Sequence, residues 1–141
     1  MAEPVQETVT GEGYAVANID ALGEGPGFRK VRRELGVTAF GVNGLIVPAG
    51  YKTGRHFHER QEELYFVHSG RIAMTFNDSS TYELGPGGLA RVDAATIRQL
   101  EVLGDEPAVL LVTGGKDGYV GRDGQLAEGE ESRFGNAGQP G

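Results

Sequence analysis

Three side chains within one short stretch could do chemistry together: His56, His58 and Glu63. On a β-strand successive side chains point to opposite faces, so residues two apart share a face. His56 and His58 would therefore project together from one strand, with Phe57 on the other side. Residues 64–69 read as a second strand with Glu63 at its start, and a turn over 59–62 would fold it back beside the first. Two imidazoles and a carboxylate brought together in this way suit a borderline divalent metal. The neighbouring Glu62 faces away once the strand has begun, but takes the ligand role if the turn is one residue shorter. His68 falls on the opposite face by the same alternation. Tyr65 and Val67 share the face of Glu63 and are expected to line the cavity. Gln61 reaches a metal only if the loop bends inward, and Tyr51 and Arg55 flank the first histidine at the rim.

The elements that must position these residues are short and mostly β. Residues 14–19 form a candidate strand, and 21–27 hold three glycines and Pro26, hence a loop. Residues 28–36 are ambiguous. Phe28, Val31 and Leu35 have helical spacing with Gly36 as a C-terminal cap, while the basic residues would equally suit an edge strand. Further strands are expected over 38–47, 55–58, 64–69, 71–76, 80–84, 89–92, 97–103 and 108–113. Gly, Pro, Asn and Asp mark the turns between them. Val109, Leu110, Leu111 and Val112 run apolar without alternation, the pattern of a strand buried on both faces. Short strands at near-regular spacing indicate a sandwich or a barrel, and by themselves leave a jelly roll and an immunoglobulin-like sandwich open. The expected organisation is a flexible arm over 1–13, one barrel domain over 14–113, and a Gly-rich tail over 114–141, disordered over its last ten or so residues.

Composition narrows the function. The chain has 141 residues, a net charge of −7 and no cysteine. Disulfides and thiolate metal ligands are excluded, and a sequence-independent grip on nucleic acid is disfavoured by the charge. The one basic cluster, Arg29, Lys30, Arg32 and Arg33, is short. The N-terminus lacks the apolar core of a signal peptide, and no apolar run approaches the length of a membrane span, so a cytoplasmic protein is expected. Nucleophilic catalysis is disfavoured, because no serine sits in a recognisable elbow. The GPGG run at 85–88 has no following helix to make it a phosphate cradle.

Gly50, five residues, His56, one residue, His58, four residues, Glu63, six residues and Gly70 resemble the first signature motif of the cupin superfamily at every fixed position. The resemblance spans roughly residues 40–113 and implies an all-β fold, the double-stranded β-helix jelly-roll barrel. The second cupin motif is matched by the turn Leu84-Gly85-Pro86-Gly87, but its third metal-binding histidine falls on Arg98. VRRELGVTAFGVN and RVDAATIRQL are similar to small single-domain actinobacterial cupins that also carry Arg there. The resemblance implies His56, His58 and Glu63 as ligands of one divalent ion, with iron, manganese, zinc and nickel all accommodated by two imidazoles and a carboxylate. A guanidinium has no lone pair for a metal, so Arg98 has two alternative roles. It holds the anionic group of a substrate beside the metal, or it pairs with Glu63 and replaces the metal. The expected function is a metal-binding cupin that binds or transforms a small, anionic organic molecule in the barrel, as a dioxygenase or an isomerase. The alternative is a non-catalytic binding or sensory module. A homodimer is the expected assembly.

Overall fold

The computed structural model describes residues 2–130. The disorder expected for the end of the tail lies outside the described residues. Twelve strands are present among those described: β1 (Val9–Gly11), β2 (Tyr14–Val16), β3 (Gly27–Arg29), β4 (Gly41–Val47), β5 (His56–His58), β6 (Glu62–Ser69), β7 (Arg71–Phe76), β8 (Ser80–Leu84), β9 (Leu89–Val92), β10 (Arg98–Leu103), β11 (Ala108–Gly115) and β12 (Gly124–Leu126). One helix, α1 (Val31–Leu35), and a 3-10 turn at Ile19–Leu22 complete them. Ten strands form two five-stranded antiparallel sheets, ordered β12-β5-β10-β7-β8 and β3-β4-β11-β6-β9, while β1 and β2 pair as a separate hairpin. This is the jelly-roll barrel expected from the motif.

The inner faces of both sheets supply one core. Leu45 and Val47 from β4, Val67 from β6, Ile72 and Met74 from β7, Leu100 and Val102 from β10, and Leu110 and Val112 from β11 are all buried in it. Each such side chain removed from water stabilises the fold by about 1.5–3 kcal/mol. The alternation that places them inward also places Glu63 and Tyr65 inward on β6, with Glu62, Leu64, Phe66 and His68 outward. Gly70 makes the tight connection between β6 and β7. Its φ is 80°, and a Cβ there would stand 2.5 Å from the carbonyl oxygen of Pro107, so only glycine fits.

Several elements differ from what the sequence suggested. Residues 28–36 divide, the first part pairing with β4 as a strand and the second forming α1, which ends at Gly36 in the left-handed conformation. Both patterns were present in the sequence, in succession. β11 is not buried on both faces: it alternates buried and half-buried residues, because Val109 and Leu111 lie on an outer face that is only partly covered. The expected arm over 1–13 contains β1, whose residues pair with Tyr14–Val16 through a turn at Gly13. The boundary at 113 falls inside β11, and the Gly-rich segment beyond it supplies β12, which joins the sheet beside β5. Among the described residues no helix is long and apolar enough to cross a membrane.

Candidate metal centre

β5 is a three-residue strand held on both sides, by β10 through the pair Arg98–His56 and by β12 through all three of its residues. That clamp fixes the two histidines. His56 and His58 point into the barrel, with Phe57 half-buried on the other side, and their rings meet edge to face with centroids 5.3 Å apart. Glu63 enters from the start of β6, in the opposite sheet, and is fully buried. One ligand atom from each of the three lies within 4.8 Å of the others. Glu62 is exposed and forms an ion pair with Arg91 at 2.8 Å, so the strand begins in the register that selects Glu63.

The donor set fits a metal ion. Nε2 of His56, Nε2 of His58 and Oε2 of Glu63 are buried and lack a hydrogen-bond partner. Buried polar atoms are rarely left without partners, and three with metal-ligand chemistry at one place form a built site. The outer contacts leave those atoms free. Nδ1 of His56 faces the carbonyl of Gly54 at 3.4 Å, and the Tyr65 hydroxyl donates to Glu63 Oε1 at 2.7 Å, which leaves Oε2.

The electrostatics are divided between the two histidines. Burial, with the positive charges of Arg98 and His58 adding to it, pushes His56 down to about 3, so it is a neutral imidazole with an available lone pair. For His58 burial acts the same way, but the Glu63 carboxylate, 3.2 Å from Nε2, and the Asp123 carboxylate outweigh it and raise the pKa above the usual histidine value. Burial and the nearby charge of Glu63 push the Tyr65 phenol well above its ordinary value, so it remains a proton donor.

Sequence inspection missed Asp123. It lies 65 residues from His58 and accepts from its Nδ1 at 2.8 Å. Asp123 also accepts from Gln61 Nε2 at 2.7 Å and from the backbone N–H groups of Arg60 at 2.7 Å and Gln61 at 3.0 Å. Burial opposes its charge, but these hydrogen bonds prevail and lower its pKa to about 2. The loop does bend inward, and Gln61 is fully buried with its Oε1 unpartnered. The flanking signal, an Asp among glycines, looks like any polar turn.

Arg98 is buried with 1% exposure, opposite His56. Its guanidinium donates to the carbonyls of Asp93 at 3.1 Å, Ala94 at 3.3 Å and Val92 at 3.5 Å. Nη2 lies 3.8 Å from Glu63 Oε1, close enough for charge attraction but too far for the two-pronged hydrogen-bonded pair that would cancel both groups. Tyr65 is buried against Glu63 and borders the small space beside Arg98, whereas Val67, expected to line the cavity with it, is buried in the core and is not among the residues around that space. Arg55 is drawn to the rim by Asp78 at 2.6 Å, and Tyr51 packs against the core. The space enclosed by Leu45, Thr53, His56, Tyr65, Met74, Arg98 and Leu100 measures about 10 Å³. It has room for roughly one water molecule.

A family model described as a cupin domain matches residues 45–114. An uncharacterized protein of Methanocaldococcus jannaschii is 35% identical over 66 residues, which span 47% of this chain and 52% of that protein, so the chain covers about half of that curated relative. Among solved structures, a sugar phosphate isomerase of Silicibacter pomeroyi from the cupin superfamily superposes with a TM-score of 0.61 at 22% identity, over 83% of this chain and 67% of the other. A structure of DMSP lyases superposes with a TM-score of 0.55 at 28% identity, over 62% of this chain and 43% of the other.

Proposed function

The chain belongs to the cupin superfamily, and from that premise we propose that it binds one divalent metal ion through His56, His58 and Glu63 and acts on, or senses, a small anionic molecule next to Arg98. The observation that carries this is the convergence of three buried ligand atoms that have no hydrogen-bond partner outside the three residues themselves. Such an ion supplies Lewis acidity, and redox chemistry if it is iron. The chain's own residues supply the rest. His56 offers Nε2 as a neutral imidazole. Tyr65 keeps its proton on Oη and fixes the Glu63 carboxylate. Arg98 holds positive charge in a dry environment, where attraction to an anion is strong. Its carbonyl contacts at 3.1–3.5 Å are weaker than those to a carboxylate, so an incoming anion competes well for the guanidinium. Because the enclosed space is water-sized, a substrate of several atoms enters with movement of Arg98 or of another residue that borders it. The likeness to DMSP lyases adds a lyase to the dioxygenase and isomerase chemistries compatible with this ligand set.

Thermal denaturation tests the proposal. Divalent metal should raise the melting temperature of chelator-stripped protein, and small carboxylates should raise it further in wild type but not in Arg98→Gln. The absence of any metal-dependent shift would refute it. A second reading, a binding module without turnover, is favoured by Arg98 standing where the motif has its third metal-binding histidine. Stabilisation by a carboxylate with no consumption of it would select that reading.

A further inference from the structure

Asp123 is the meeting point of four hydrogen-bond donors: His58 Nδ1, Gln61 Nε2, and the backbone N–H groups of Arg60 and Gln61. Oδ1 takes the two side chains, and Oδ2 takes the two backbone groups. A carboxylate is acceptor-only with about four lone-pair sites, and no other side chain can accept four hydrogen bonds at once. The segment that carries it is built onto the histidine strand. β12 pairs with β5, placing Gly124 opposite His58 and Leu126 opposite His56. The N–H of Glu59 donates to the Asp123 carbonyl at 3.2 Å, and that of Ala127 to the Arg55 carbonyl at 2.8 Å. Val120 and Ala127 bury their side chains on either side of it.

From this we infer that Asp123 is a positioning residue of the metal centre. Its Oδ1 holds the proton on His58 Nδ1, so that Nε2, beside Glu63, is the ligand atom. The same carboxylate fixes the loop that leads into Glu63, so the segment from 123 to 127 is part of the site although it lies outside the motif-bearing strands. The inference rests on the proposed metal site. An Asn at 123 would keep the size and lose the function, because its single oxygen serves one pair of donors while its NH2 confronts the other. Outer partners of metal-bound histidines typically contribute about 10–100-fold in affinity.

The experiment is competition between Zn2+ and a chelator for wild type, Asp123→Asn and Tyr119→Ala. Tyr119→Ala perturbs the stretch that precedes this segment, by removing the stacking of Arg32 over the Tyr119 ring at 4.0 Å, and leaves the Asp123 contacts in place. Asp123→Asn should bind Zn2+ about 10–100-fold more weakly, and Tyr119→Ala should melt at lower temperature with affinity close to wild type. Equal affinity in wild type and Asp123→Asn would overturn this inference alone, and so would equal losses in the two variants. A wild type that takes up no Zn2+ would overturn the metal site and this inference with it. A measurement on wild type needs no folded variant: imidazole 1H–15N correlation of the Zn2+-loaded protein should show a proton on His58 Nδ1 and zinc at Nε2. Zinc at Nδ1, or Nδ1 without its proton, would overturn the assignment.

Discussion

Arg98 stands directly opposite His56 in the pairing of β10 with β5, and its guanidinium lies 3.8 Å from Glu63 Oε1. A fixed positive charge thus adjoins two of the three proposed metal ligands. It lowers the charge density available to a cation and makes the same place receptive to an anion.

Removing that charge should strengthen metal binding. Arg98→Gln is expected to bind Zn2+ at least about tenfold more tightly than wild type, because repulsion between a unit positive charge and a divalent ion about 4 Å away is about 2 kcal/mol even at the dielectric of bulk water, and tenfold corresponds to about 1.4 kcal/mol. Arg98→His should bind more tightly still, by adding a lone pair on the strand next to His56. Chelator competition measures both, and weaker binding in Arg98→Gln would show that the guanidinium supports the site.

Glu63→Gln should lose metal binding and destabilise the metal-free protein. The amide oxygen can still accept from Tyr65, but the buried Arg98 loses its nearby counter-charge. Leaving a buried charged group less well compensated costs about 1–3 kcal/mol or more. Urea unfolding after chelation checks this, and an unchanged midpoint would mean that the carbonyls of residues 92–94 suffice for Arg98.

Metal affinity should fall on acidification with the uptake of one proton, not two. His58, raised above its usual 6.5, carries a proton that a metal must displace, so affinity drops as pH falls through its raised value. His56, pushed down to about 3, is already neutral across that range and does not compete. The slope of log affinity against pH, from about pH 8 to 5, distinguishes one proton from two.

Gly70→Ala should destabilise the fold by more than about 1–2 kcal/mol, the cost of a left-handed alanine alone, because its Cβ would also meet the Pro107 carbonyl oxygen at 2.5 Å. Chemical denaturation checks the loss. Metal uptake per folded molecule should be unchanged, since the β6–β7 turn lies at the far end of β6 from Glu63.

Much of this site was legible because its information is local. Period-two alternation alone puts His56 and His58 on one face and separates Glu63 from Glu62, and the turn signals delimit the strands that carry them. The cupin motif adds the pairing across the barrel that periodicity cannot supply. Asp123 was not legible for the opposite reason. Its role arises from a ladder between β12 and β5, formed by a Gly-rich segment whose own composition suggests no strand. The apolar run in β11 misled because sequence hydrophobicity does not reveal whether an outer face is covered. Residues 28–36 carried two overlapping signals, and the chain uses both.

Elemental analysis of the purified protein beside a His56→Ala/His58→Ala double variant decides whether these histidines hold a metal. About one equivalent of a divalent metal per chain is expected in wild type and none in the variant. No metal in either protein, after incubation with excess zinc, iron, manganese or nickel, would contradict the proposed metal site and leave Arg98 as the cation that neutralises Glu63.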